Sequence, residues 1–496
     1  MTSLLTDPLW KAEDLGKPIP NSPHAVSVAM PLWAHAVGYE EGDPAVIDKL
    51  ASGYPRFVYH PKIGELARIC AERFAHAREL CLPLPSKKAA EEARDYVAKG
   101  TDEPVRVEAF GRHDLHAIVA PLDQAARAKA YWQHTGRIVS SRLAEAVLQN
   151  GARDDTAGDA AKERLREQLA EIYSVEPEHI YLFGTGMDAV TTALELGAAL
   201  APGRGSVQFG FPYVDVLKVQ EEFGPATQFY ADENDAALAE LAAFLRTEKI
   251  SSIVIETPAN PLLLTPDVAT LGRFARDAGA LLIVDDTVAT GLNVDVGPWA
   301  DLVATSLTKN FAGHGDVMGG ALVISPASPH AAALLERIAA TFEDLLWWED
   351  AVVLDRRSHN FAERMRSINT HTLDVARFLA DHPAVEEVYY PGLEPDPNYE
   401  AIRRADGGYG GLFSFLPRNA AETSQPVYDR LRISKGPSLG TDYTLCCPYT
   451  ILAHYAELDW AEACGVSRWL IRVSIGLEDP QDIKARFDEA LKIVPR

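Results

Sequence analysis

From residue 161 onward, short apolar runs alternate with amphipathic stretches. A charged amphipathic helix is expected over about 161–173. IYLFG then precedes a helix expected over Ala189–Leu200, SVQFG one near Ala236–Thr247, and SSIVIE one near Pro266–Ala278. ALLIVDD, LVATSL and GALVIS complete the series. Short apolar runs between helical patterns read as strands covered on both faces, which predicts a three-layer αβα domain around a mostly parallel sheet. A long helical stretch follows from about Pro329 to Asp381, and Val385–Tyr390, Gly411–Leu416 and Leu470–Val473 read as strands between helices. These predict a smaller C-terminal α+β domain.

The first third has a different texture. Residues 1–60 are rich in Pro and Gly and read as an extended arm with little packing of its own. Helical patterns cover Ile63–Leu80 and Lys87–Ala98, a polar piece TDEPVRVEAFGRHD follows, and another helical stretch runs near Leu122–Asn150. GARDDTAGDA, residues 151–160, has loop composition. The expected division is therefore 1–160, 161–328 and 329–496, with no fixed-period repeat.

Composition narrows the function classes. With 47% hydrophobic and 24% charged residues, the 496-residue chain is an ordinary globular sequence and not a disordered or fibrous one. Its net charge of −24 argues against nucleic-acid or anionic-membrane partners, which need concentrated Lys and Arg. No apolar run reaches the ~18 residues that span a bilayer, and the N-terminus has neither signal-peptide nor transit-peptide character. The five cysteines include no C-x-x-C pair, so neither a full disulfide framework nor a metal site is expected, and a cytoplasmic location is.

Candidate chemistry concentrates between Glu256 and Gly320. Asp285 ends an apolar strand, where α/β proteins bind ligands, and Lys309 follows the next short apolar run, flanked by Ser306 and Thr308. A lysine amine forms a Schiff base with an aldehyde cofactor, and a carboxylate facing a pyridine nitrogen keeps the ring protonated as an electron sink. Gly184-Thr185-Gly186-Met187 opens a helix, where amides and the helix dipole favour a phosphate.

ETPANP, VDDT, SLTKNFAGHGDVMGG and LIRVSIGLEDPQDI stand in the order found in the cystathionine γ-synthase family of Cys/Met-metabolism enzymes, which residues 161–496 resemble. GKPIPNSPHAVSVAMP and GYPRFVYHP resemble the long fungal form. The resemblance implies fold type I and pyridoxal 5′-phosphate (PLP) on Lys309. Asp285 would face the ring nitrogen. Gly186, Met187, Ser306, Thr308 and the Thr287 of VDDT would surround the cofactor. Tyr54 and Arg56 would reach the phosphate of a neighbouring subunit, in a homodimer or homotetramer with shared sites. Arg472 would clamp the substrate carboxylate and Ser438 orient the lysine. The stacking aromatic falls in GFPYVDVLK, so Phe211 or Tyr213 serves.

The family also has Asn-Pro where this chain has His60-Pro61, and ordinary members lack the insertion at 62–160. Its segment YWQHTGRIVSSRLAE, 131–145, has two readings, a structural helix at the dimer surface or a polar face toward the active site.

The implied reaction joins an O-acylhomoserine to a thiol such as cysteine through a vinylglycine-type intermediate. A β/γ-lyase, an O-acylhomoserine sulfhydrylase and a γ-substitution enzyme with a carbon or amine nucleophile share the same residues. A cofactor-free scaffold is the non-enzymatic alternative.

Overall fold

The computed structural model describes residues 3–495. At its centre lies a seven-stranded sheet in the order Ile180–Phe183, Gly320–Ile324, Leu302–Ser306, Leu281–Asp285, Ile250–Glu256, Gly205–Phe209, Thr227–Tyr230. Neighbours pair in parallel except at Gly320–Ile324, which is antiparallel to both its partners. Alternate residues serve opposite layers. Leu282, Val284 and Val303 belong to one apolar cluster, while Leu281, Ile283, Leu302 and Ala304 belong to another. This is the three-layer αβα architecture of fold type I.

Three helices, Ala331–Thr341, Trp348–Ser358 and Phe361–Ala380, fill the stretch expected to be helical. A five-stranded sheet follows, ordered Val385–Tyr389, Leu412–Pro417, Ile471–Ser474, Leu445–Pro448, Ser434–Lys435.

The first third departs from the sequence pattern both in its strands and in its packing. The expected helix from Ile63 stops at Phe74, and Glu79–Leu84 is a strand instead. The polar piece after Lys99 also contains a strand, Arg106–Ala109. Both pair antiparallel with His116–Pro121. The sheet exists because Leu82, Leu84, Ile118 and Ala120 share a core with Ala89, Ala90 and Ala93 of the Lys87–Ala98 helix. That pairing is non-local, so a short window of sequence does not display it.

The arm is packed, contrary to expectation. Ile19, Val28, Ala29 and Met30 are buried. Trp33 and Ala36, on the helix Trp33–Glu40, join the C-terminal core with Phe413 and Phe415. The Trp33 amide donates to Asp429 at 2.7 Å, and the Met30 amide to the Lys435 carbonyl at 2.8 Å. Extended chain with few apolar positions looks loose in isolation; here its few large side chains are anchors. Among the described residues no helix is long and apolar enough to cross a membrane, and none of their His, Cys, Asp and Glu side chains gather in threes to hold a metal.

Candidate active site

A cleft of about 1330 Å³, partly open to solvent, lies at the C-terminal ends of the Ile250–Glu256, Leu281–Asp285 and Leu302–Ser306 strands. Lys309, Tyr54, Arg56, Gly186, Met187, Tyr213, Asp285, Thr287, Ser306, Thr308, Ser438 and Arg472 all line it. Phe211 does not. It packs with Trp460 at 5.4 Å and His454 at 5.2 Å between ring centroids, in a separate apolar cluster. Backbone geometry separates the two aromatics: the chain leaves its strand through Gly210, at φ +85°, and Tyr213 caps the Val214–Phe223 helix at the cleft wall. The placement favours Tyr213 over Phe211 as the stacking residue.

Lys309 is 7% exposed and has no carboxylate partner among the described residues. Its Nζ lies 2.7 Å from the Tyr54 hydroxyl and 3.1 Å from Ser438 Oγ. Burial holds the amine below its ordinary pKa. Burial pushes the Tyr54 phenol up, but the Lys309 and Arg56 cations outweigh it and leave the phenol below its usual value. Asp285 is the complementary oddity. Burial raises its carboxyl, only partly offset by hydrogen bonds from Thr287, whose amide donates at 2.9 Å. The same Thr287 accepts from the Ser306 amide at 2.8 Å, tying two strand ends together.

The helix Gly186–Leu200 begins beside Ser306. A Cβ on Gly186 would stand 2.7 Å from Ser306 Cβ, so only glycine permits this approach. Thr185 caps the helix, accepting from the Asp188 amide at 3.1 Å and donating to the Gly136 carbonyl at 2.9 Å. Gly186→Ala is expected to push the phosphate turn from Ser306 and weaken cofactor retention about tenfold or more. Dialysis of the holoenzyme followed by absorbance measures it, and unchanged retention would count against the turn's role.

Tyr54 and Arg56, expected to reach a neighbour's phosphate, line the cleft of the single chain described. Arg56 pairs with the fully buried Asp215 and donates to the Gln133 carbonyl and the Tyr213 hydroxyl, each at 2.8 Å. Asp215 also contacts His134 Nδ1 at 2.8 Å. Arg137 extends the scaffold by bonding Asp188 at 3.1 Å and pairing with Glu195 at 2.6 Å. No residue of the 131–145 segment lines the cleft, and the segment is buried or half-buried in the single chain. It is a layer behind the site that holds Arg56 and the start of the Gly186–Leu200 helix. His60-Pro61 has a local reason: Pro61 opens the Pro61–Phe74 helix, and His60 caps it, accepting from the Lys62 amide.

At the other end, Arg472 projects from the buried Ile471–Ser474 strand. It donates to Asn260 Oδ1 at 3.0 Å and the Ser438 carbonyl at 2.9 Å, and lies 4.9 Å from the Tyr449 ring centroid. Asn260 donates to the Tyr449 hydroxyl at 3.2 Å. Glu256 accepts from the Tyr213 amide at 2.5 Å and the Asn260 amide at 3.3 Å, and burial, with the Asp285 charge, pushes its carboxyl to about 8. Sequence reasoning assigned no role to Glu256, Asn260, Tyr449 or Asp215. Glu256 carried a usable signal, since it ends a strand as Asp285 does.

A buried amine without a counter-anion and a buried carboxyl without a counter-cation are costly unless a ligand completes them. A pyridine aldehyde bearing a phosphate completes both, and Gly186 leaves room for its anion. The class is that of PLP-dependent enzymes of fold type I.

The model of the Cys/Met metabolism PLP-dependent enzymes matches residues 151–492, and that of the fungal trans-sulfuration enzyme N-terminal domain matches 62–140. The chain is 32% identical to a cystathionine gamma-synthase of Neurospora crassa, over 97% of this chain and 98% of the relative. It is 33% identical to an L-2-amino-4-chloropent-4-enoate dechlorinase/desaturase of Streptantibioticus cattleyicolor, over 96% and 97%. A crystal structure of cystathionine gamma synthase from Xanthomonas oryzae pv. oryzae superposes with a TM-score of 0.59 at 27% identity, covering 68% of this chain and 86% of that one. The chain belongs to the Cys/Met metabolism family of PLP-dependent enzymes.

Proposed function

We propose that the protein catalyses PLP-dependent replacement at the γ-carbon of an amino acid, of the cystathionine γ-synthase type, joining an O-acylhomoserine to a thiol such as cysteine. The observation that carries this reading is the buried, uncompensated Lys309 facing Tyr54 and Ser438 in one cleft with Asp285 and Arg472.

Lys309 and Asp285 hold the cofactor, with Gly186, Met187, Ser306 and Thr308 at its phosphate, Thr287 beside Asp285 and Tyr213 against its ring. When bound, PLP supplies an electron sink for the carbon bearing the amino group. Arg472 binds the substrate α-carboxylate through a guanidinium already oriented by Asn260 and Ser438. Burial lowers the Lys309 amine from its ordinary pKa, which suits it to remove the Cα proton and to move protons at Cβ as the γ-substituent leaves. Tyr54, within hydrogen-bond reach of the same nitrogen, holds it for that transfer. Product analysis tests the reading. Cystathionine formed from an O-acylhomoserine only when cysteine is present supports it, and 2-oxobutyrate alone points to a lyase.

A second reading is γ-elimination of a halide. Its support is the length of the alignment. The dechlorinase/desaturase aligns over 494 positions, about the chain's own length, whereas the Neurospora alignment extends to 610.

Each subunit, on this proposal, completes its own site even within a homodimer or homotetramer. Mixing Tyr54→Phe with Lys309→Ala subunits under exchange conditions is then expected to leave activity at the level of Tyr54→Phe alone. Recovery toward the unmodified enzyme would place Tyr54 in the neighbour's cleft.

A further inference from the structure

Arg472 is held by neutral groups. Its guanidinium donates to Asn260 Oδ1 and the Ser438 carbonyl, and the Tyr449 ring stands beside it. Cys447 lies directly across the strand pair from Arg472, and burial pushes its thiol up from the ordinary pKa, so it supplies no anion either. Strand register brings Tyr449 to this place. Pro448 pairs opposite Ile471, so the first residue of the following helix, Tyr449–His454, arrives next to Arg472. The Tyr449 amide donates to the Leu470 carbonyl at 3.2 Å, and Thr450 Oγ1 donates to the Ser467 carbonyl at 2.7 Å, which anchors the turn.

Tyr449 acts on the cation twice. The guanidinium carbon lies 4.9 Å from its ring centroid, where the negative face of the ring stabilises a buried cation. Its hydroxyl accepts from Asn260 Nδ2 at 3.2 Å, which turns Asn260 Oδ1 toward Arg472; a reversed amide would set donor against donor. The hydroxyl also has a proton of its own. Among the described residues no group accepts it, although Tyr449 lines the cleft and is only 3% exposed. Burial holds the phenol above its usual value despite the Arg472 cation, so the proton stays in place at neutral pH. A buried hydroxyl without an acceptor is costly, and a carboxylate seated on Arg472 would supply one.

We infer that Tyr449 is a substrate-binding residue, donating its hydroxyl proton to the α-carboxylate that Arg472 clamps. The inference rests on the proposed role of Arg472 and deepens it. Arg472 supplies the charge, and Tyr449 supplies a neutral donor from a second element, so the carboxylate is gripped from the strand Ile471–Ser474 and from the helix Tyr449–His454 together.

Titration of the holoenzyme, followed by its visible absorbance, tests this with L-norvaline and with butylamine, which is norvaline without its carboxylate. Tyr449→Phe keeps the ring and removes the hydroxyl. The variant is expected to bind norvaline about tenfold more weakly and butylamine within about twofold of the unmodified enzyme. An unchanged norvaline affinity, or an equal loss for both amines, would overturn the inference. Arg472→Lys in the same titration separates the two assignments. Loss of norvaline affinity there, with none in Tyr449→Phe, would keep the clamp and overturn the tyrosine; no loss in either variant would refute the clamp as well. Neither probe carries a γ-leaving group, so the reaction is judged apart from the binding. Absence of cystathionine from an O-acylhomoserine and cysteine, alongside the expected norvaline loss, would refute the reaction and leave Tyr449 at the carboxylate.

Discussion

Replacing Lys309 with alanine is expected to lower turnover by about 10⁴-fold or more and to remove the lysine-linked visible absorbance of the holoenzyme. The size follows from how alone the amine is. Among the described residues, the only side chains within hydrogen-bond distance of Nζ are Tyr54 and Ser438, and both are hydroxyls. Neither titrates near neutrality without help, although the Lys309 cation itself lowers the Tyr54 phenol. Removing the amine removes the base and its main perturbant together, so Tyr54 is not left as a substitute. The fold should survive, because truncation relieves the burial of an uncompensated cation. Two measurements decide the matter: the visible spectrum of reconstituted protein, and turnover with and without an added small primary amine. A lysine-linked band retained in the variant would refute the assignment.

The second large effect concerns Arg472. Substitution by lysine keeps the charge, yet is expected to lower kcat/KM by about 100-fold, mostly through KM. The guanidinium spends one edge on Asn260 Oδ1 and the Ser438 carbonyl, which fixes the orientation of the rest. An ammonium is a point donor on a flexible stem and cannot hold both acceptors while presenting a fork. Its neighbours Ile471 and Val473 are fully buried, so the strand will not shift to compensate. Cofactor absorbance should be unchanged while amino-acid binding weakens. Equal loss of cofactor and substrate would show that Arg472 is structural.

The lining of the candidate cleft was legible because its parts obey local rules. Asp285 ends a short apolar strand, Gly186 opens a helix, and Lys309 sits between hydroxyl residues after the next strand. The resemblance to a known family then turned these pieces into a site. What stayed hidden depends on long-range contacts. Arg56 and Asp215 are far apart in sequence, and neither marks the other as a partner. Glu79–Leu84 reads as the tail of a helix until Ile118 is known to lie beside it. Phe211 and Tyr213 were indistinguishable as letters, and only the turn at Gly210 sends one to the cleft and the other under Trp460. The arm looked loose because its packing surface belongs to residues more than 300 positions later, at Phe413 and Trp469.

That last contact has a consequence for how the chain is made. Trp33 stacks on Trp469 at 6.1 Å between ring centroids, so the helix Trp33–Glu40 seats against a segment made more than 400 residues later. Domains formed during synthesis usually close in order of emergence. Here the arm must wait, solvent-exposed, until those later residues are made, and the core around Phe413 closes with it in place. Loss of either segment therefore opens the same core, and high-yield production will depend on keeping the nascent arm from sticking elsewhere while it waits.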